Sequence, residues 1–117
     1  MRSTAEVLDE HLRLRSAGEL EKDLAHNYAP DVVLLCDPGV LQGREAVRKS
    51  ADRLAWQIPH ARFEYPVRQV QGEYALLVWN AFSPDGHVHH GVDSFVIRNG
   101  CIVMQSIYYR VTSSGQA

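Results

Sequence analysis

The chain has 117 residues, 45% of them hydrophobic, and its 12 lysines and arginines nearly balance 14 aspartates and glutamates, for a formal net charge of −2. That length supports one hydrophobic core, so residues 1–117 are read as a single domain, and the lack of a basic stripe argues against a nucleic-acid partner. No apolar run reaches the length of a membrane span, Met1-Arg-Ser-Thr lacks a signal-peptide core, and Cys36 and Cys101 lack metal-ligand spacing; a cytoplasmic protein with no membrane partner, metal or cofactor is expected.

Ser3-Thr-Ala-Glu6 has capping-box spacing and opens a helix that runs to about Ser16, with Val7, Leu8, Leu12 and Leu14 on its apolar face and His11 sharing that side. Gly18 turns the chain. Leu20, Leu24 and Tyr28 at i, i+4 and i+8 mark a second short helix, stopped by Pro30. Residues 32–36 form a continuously apolar strand, residues 38–43 a loop, and residues 44–56 a third helix with Val47, Ala51 and Leu54 on one stripe. Arg44, Arg48, Lys49 and Arg53 solvate the polar side of that helix. Strands follow at 63–71, 73–82, 87–98 and 101–111, punctuated by Gly72, Pro84-Asp85-Gly86 and Asn99-Gly100, the last a strong hairpin signal. Residues 112–117 read as a frayed tail, and the two cysteines as buried fillers, with a single disulfide left open. Three helices followed by an antiparallel meander make an α+β domain with helices on one sheet face.

Two carboxylates carry the chemical interest. On the strand around Asp93, counting by twos puts His89, Gly91, Asp93, Phe95 and Ile97 on one face, which reads as the core face. A buried carboxylate must be paired, hydrogen-bonded, protonated or set in a functional cavity. Asp37 closes the apolar run Val32-Val-Leu-Leu-Cys and precedes Pro38-Gly39. Together the two acids are material for proton transfer; the plainer alternative is a satisfied structural Asp93 and a turn-forming Asp37. The opposite sheet face would show Leu77, Trp79, Val92, Val96, Met104 and Tyr108, too apolar to face water, so a homodimer through that outer face is expected. His87, His89 and His90 cluster, but alternation sends His89 and His90 to opposite faces, which suits a metal poorly.

Tyr28-Ala-Pro-Asp31, Asp37-Pro-Gly39, Gly43-Arg-Glu-Ala-Val47, Asp93-Ser-Phe95 and Asn99-Gly100-Cys-Ile102, in this order of elements, resemble a known superfamily over residues 3–110. It is the cone-shaped, cystatin-like α+β fold of nuclear transport factor, SnoaL-type polyketide cyclases and steroid Δ-isomerase (ketosteroid isomerase). The resemblance implies three N-terminal helices on a strongly curved, mostly antiparallel sheet. At key positions it is nearest to the isomerase. Asp37 matches the general base, Asp93 a protonated oxyanion donor, Tyr28 a pocket tyrosine, and Tyr109 a position that supports the base. His11 stands where the isomerase has its main oxyanion tyrosine, and Ala51 where it has a supporting tyrosine. The family's strand register would turn Leu76, Val78, Asn80 and Phe82, then His89, Gly91, Asp93 and Phe95, then Gln105, Ile107 and Tyr109 into the cone, with Trp56 closing the core at the end of the third helix.

The implied function is a cofactor-free acid–base enzyme for a small apolar carbonyl compound, of isomerase, cyclase or dehydratase type. Asp37 would be the base, Asp93 with His11 the oxyanion donors, and Tyr28, Trp56, Asn80, Phe82, His89, Phe95 and Tyr109 the substrate contacts. Alternatives are a non-catalytic module that binds a small apolar molecule, or a dimerisation domain whose cone is filled by its own side chains. His11 has an alternative too, an ion pair with a buried carboxylate such as Asp93.

Overall fold

The first helix, α1 (Thr4–Ser16), begins where the capping box requires: Ser3 Oγ accepts the Glu6 amide at 3.1 Å and the Glu6 carboxylate accepts the Ser3 amide at 2.9 Å. A computed structural model describes residues 1–113. After α1 come α2 (Leu20–Asn27), β1 (Tyr28–Cys36), β2 (Gly39–Gln42), α3 (Arg44–Gln57), β3 (Arg62–Gln71), β4 (Tyr74–Phe82), β5 (Gly86–Arg98), β6 (Cys101–Tyr108) and β7 (Thr112–Ser113). The strands form one sheet in the order β2-β1-β6-β5-β4-β3, with β7 paired to the start of β5. Every pairing is antiparallel except β1 with β6, which is parallel. The α+β architecture is thus as expected.

Several boundaries differ from the sequence reading. Pro30 does not stop a helix; it lies inside β1, which begins at Tyr28 and shifts register against β6 between Tyr28 and Val33. A proline is tolerated at such an irregularity because the ladder there lacks a regular donor position. The expected loop 38–43 contains β2, which folds back on β1 as a short hairpin. Thr112 and Ser113 are not frayed but pair with His87 and Gly86; the remainder of the expected tail, 114–117, lies outside the described residues. Both cysteines are free and only half-buried.

The inner face of the sheet packs on α1, α2 and α3 around a core that includes Val7, Leu8, Leu24, Tyr28, Val47, Leu77, Trp79, Phe95 and Ile102. β4 enters this core one residue out of step with the expectation. Ala75, Leu77, Trp79 and Ala81 are buried, whereas Leu76, Val78, Asn80 and Phe82 are half-buried on the other side. The run Ala75 to Trp79 is apolar at every position, so alternation gives no phase. Phase comes from pairing with β5, which sets Leu77 opposite Asp93 and Trp79 opposite Gly91. A bulge completes the correction. His89 and His90 together oppose Asn80, His90 has φ of 58°, and the Asn80 side-chain oxygen accepts the His90 amide at 3.0 Å. The extra residue reverses alternation, so Val88 is buried and His89 is exposed, stacked edge-on against Phe82 and His87.

The outer face therefore carries Leu76 and Val78 in place of Leu77 and Trp79. Its rungs are Val78–Val92–Tyr108, Leu76–Ser94–Ser106 and Tyr74–Val96–Met104, with the two serine hydroxyls 2.5 Å apart. No helix among the described residues is long and apolar enough to cross a membrane.

Candidate active site

Asp93 sits on the inner face at 6% exposure and lines a cavity of about 120 Å³ between α1, α3 and the sheet. Each of its oxygens accepts one neutral donor: Trp79 Nε1 at 2.9 Å on Oδ1 and Gln105 Nε2 at 3.0 Å on Oδ2. Gln105 is itself fixed by the buried Tyr28, whose hydroxyl donates to Oε1 at 2.5 Å. The indole can lie here because residue 91 is glycine; a Cβ there would meet Trp79 ring carbons at 2.4 to 2.8 Å. Burial pushes the Asp93 carboxyl up to about 6, against the opposing pull of Trp79, Gln105 and the more distant Arg15 cation. One hydrogen bond per oxygen leaves each with a further lone pair, so the group can hold or release a proton toward the cavity.

Across the cavity, His11 and Arg15 are one helical turn apart on α1. His11 Nδ1 lies 2.8 Å from Oδ2 of Asp23, which also accepts Arg15 Nε at 2.6 Å, while Asp23 Oδ1 accepts Asn27 Nδ2 at 2.7 Å. Asp23 is wholly buried. Burial raises its carboxyl, but the hydrogen bonds and charges of His11, Arg15 and Asn27 outweigh this and hold it below the usual carboxylate range. Burial, aided by the Arg15 cation, depresses His11 more than Asp23 lifts it, so the ring is neutral at pH 7. Facing a carboxylate, Nδ1 carries the proton and Nε2 keeps its lone pair. The alternative of a His11–Asp93 ion pair is corrected accordingly: the partner is Asp23. Phe95 and Tyr28 pack edge-on against the imidazole at centroid distances of 5.6 and 5.9 Å. Tyr65 also lines the cavity, and burial followed by the Asp93 charge raises its phenol, which stays protonated near neutrality.

A second cavity of about 310 Å³ shares Ser50 and Ile107 with the first as lining residues, and is lined also by Cys36, Asp37, Lys49, Arg53, Gln57 and Tyr109 among others. Asp37 is exposed in the β1–β2 turn, and the Tyr109 hydroxyl donates to Gln57 Oε1 at 2.6 Å. Burial raises the Tyr109 phenol first; Arg53 opposes this, and Asp93, Cys36 and Asp37 add to it.

The sequence-derived site is therefore divided. His11 and Asp93 share the inner cavity, and Asp37 and Tyr109 share the outer one. Tyr28 and Phe95 line neither and support the polar groups from behind. Asn80, Phe82 and His89 lie away from both cavities because of the β4 phase and the β5 bulge. Trp56 is corrected most sharply: it is 83% exposed, on the solvent side of α3. The reading missed Asp23, Arg15, Tyr65 and the inward Trp79. A signal for Asp23 existed, since Leu20, Asp23, Leu24 and Asn27 form one stripe of α2 and place polar groups among its apolar positions. Among the described residues no three His, Cys, Asp or Glu side chains are grouped to hold a metal.

A family model described as SnoaL-like domain matches residues 8–105. Comparison with curated proteins gives no match. Among solved structures, a candidate ketosteroid isomerase from Kribbella flavida is 14% identical with a TM-score of 0.75, covering 97% of this chain and 82% of that one. A candidate SnoaL-like polyketide cyclase from Mesorhizobium loti is 18% identical with a TM-score of 0.69, covering 92% of this chain and 100% of that one. A de novo designed protein with a curved β-sheet is 21% identical with a TM-score of 0.75, covering 92% and 84%. At such identities the likeness is one of fold.

Proposed function

The chain belongs to the SnoaL-like domain family, and from that premise we propose that it is a cofactor-free acid–base enzyme acting on a small, largely apolar carbonyl compound. The observation that supports this is Asp93: a carboxyl group on an apolar cavity, held by two neutral donors, with its pKa raised to about 6. A base poised near the working pH both accepts a carbon-bound proton and gives it back. Asp93 removes the proton next to the carbonyl, and the electron pair moves onto the carbonyl oxygen. Arg15 and the protonated Tyr65 are the donors available to that oxyanion. The proton then returns to the same carbon, to a conjugated one in isomerisation, or to a departing hydroxyl in dehydration. His11, with its Nδ1 proton held by Asp23, presents the Nε2 lone pair as a hydrogen-bond acceptor for a hydroxyl of the compound.

Asp93 is assigned as base in preference to Asp37, which is exposed and borders the outer cavity. Proton NMR in D2O with a panel of small cyclic ketones and enones tests the assignment. The protein is expected to accelerate α-deuterium exchange, and Asp93→Asn to lose about 100-fold or more of that acceleration. Loss in Asp37→Asn with retention in Asp93→Asn would transfer the role to Asp37. Ligand binding without exchange in the unmodified protein would leave a binding module in place of an enzyme. We propose further that two copies pair through the outer sheet face, which carries the apolar rung Val78–Val92–Tyr108.

A further inference from the structure

The outer cavity has a charge arrangement that the acid–base reading does not use. Lys49 and Arg53 stand one turn apart on α3 and both line it. Among the described residues neither makes an ion pair or a side-chain hydrogen bond, a state they share with Arg13, whereas Arg2, Arg15, Lys22, Arg48, Arg62, Arg68 and Arg98 have carboxylate partners and Arg44 and Arg110 bond to tyrosine oxygens. Asp37 is the one acid lining the same cavity, so the lining carries two cations against one anion. Gln57 and Tyr109, fixed to each other at 2.6 Å, supply neutral polar atoms beside them. The inner cavity, by contrast, keeps its one arginine matched by Asp23.

We infer that the outer cavity is an anion subsite and that the substrate is an amphipathic acid, with its carbonyl-bearing apolar end in the inner cavity and a carboxylate between Lys49 and Arg53. This rests on the proposed function for the inner end of the molecule. A single surplus positive charge matches a singly charged carboxylate better than a doubly charged phosphate. The inner cavity alone, at about 120 Å³, holds only a small group, and the adjoining 310 Å³ accommodates the rest. Ser50 and Ile107, which line both cavities, carry no charge, so a ligand that spans the two meets no charged group where they border each other.

The test is binding, independent of turnover, using 4-phenylbutanoate and its uncharged isostere 4-phenylbutanamide followed by ligand-observed NMR. The carboxylate is expected to bind about fivefold more tightly than the amide at low salt, the strength of partly exposed ion pairs. That preference should vanish in Lys49→Gln/Arg53→Gln with amide binding unchanged, and it should collapse in the unmodified protein between about 20 mM and about 500 mM NaCl. Arg13→Gln/Lys22→Gln, which removes equal charge from a surface away from both cavities, should keep it. Equal affinity for the two probes, binding of neither, or a preference that survives the Lys49/Arg53 substitutions would overturn the anion subsite. Such results leave the deuterium-exchange test of Asp93 untouched, and failure of exchange with the charge preference intact would sink only the catalytic assignment.

Discussion

At Gly91 one added methyl group would collide with the indole that delivers a hydrogen bond to Asp93, so the smallest side chain on that face controls the surroundings of a buried acid. Gly91→Ala is expected to cost about 1–3 kcal/mol, as overpacking does, and to displace the Trp79 N–H. Losing that donor moves the Asp93 carboxyl above its present value of about 6; urea denaturation and a carboxyl-carbon NMR titration check the two effects. Asp93 also makes stability depend on pH in a definite sense. Its folded pKa is raised from the ordinary 3.8 to about 6, so the folded chain keeps a proton that the unfolded chain releases in between. Stability from this group is full below the lower value and falls as pH rises through the window, by on the order of 3 kcal/mol. Asp23 acts oppositely: its lowered pKa contributes stability above the unfolded value that is lost as pH falls through the folded one. His11, lowered below 6.5, likewise costs stability as pH drops beneath that value. Comparison with Asp93→Asn isolates the first effect. The variant should gain stability relative to the unmodified protein between about pH 4 and about pH 7 in urea melts.

Among the elements, α1 was legible because its capping box, periodicity and closing turn all agree, and the Asn99-Gly100 hairpin because its dipeptide demands positive φ, observed at 54° and 73°. Asp93 on the inner face was legible for the same kind of reason, since Gly91, Phe95 and Ile97 share its parity. β4 was not, because a strand apolar on both faces has no phase of its own and borrows one from its neighbour. The β5 bulge was not either: His90 resembles any other strand residue until Asn80 is seen holding its amide. These two failures alone removed Asn80, Phe82 and His89 from the site and hid Trp79. Asp23 was hidden differently. Its partners His11 and Arg15 belong to another helix, and a contact across the turn between α1 and α2 leaves no mark on the periodicity of either.

For the molecule as a whole, the outer sheet face carries Val92, 37% exposed, and Tyr108, 49% exposed, side by side on one rung. Apolar side chains exposed on adjacent strands of one face are what a second copy could cover. Light scattering should give twice the chain mass, and Val92→Lys, which puts a charge on the Val78–Val92–Tyr108 rung, should give the monomer. The same sheet also dictates an order of events. β3 to β6 are neighbours in sequence and in space, so the meander can zip up through short closures, but β1 must find β6 in parallel across more than half of the chain, where Leu34 meets Gln105. Closing so long a loop is entropically expensive and slow. Leu34 and Gln105 are both walls of the inner cavity, so during refolding that cavity is complete only once β1 has joined β6, however much of the meander has already formed.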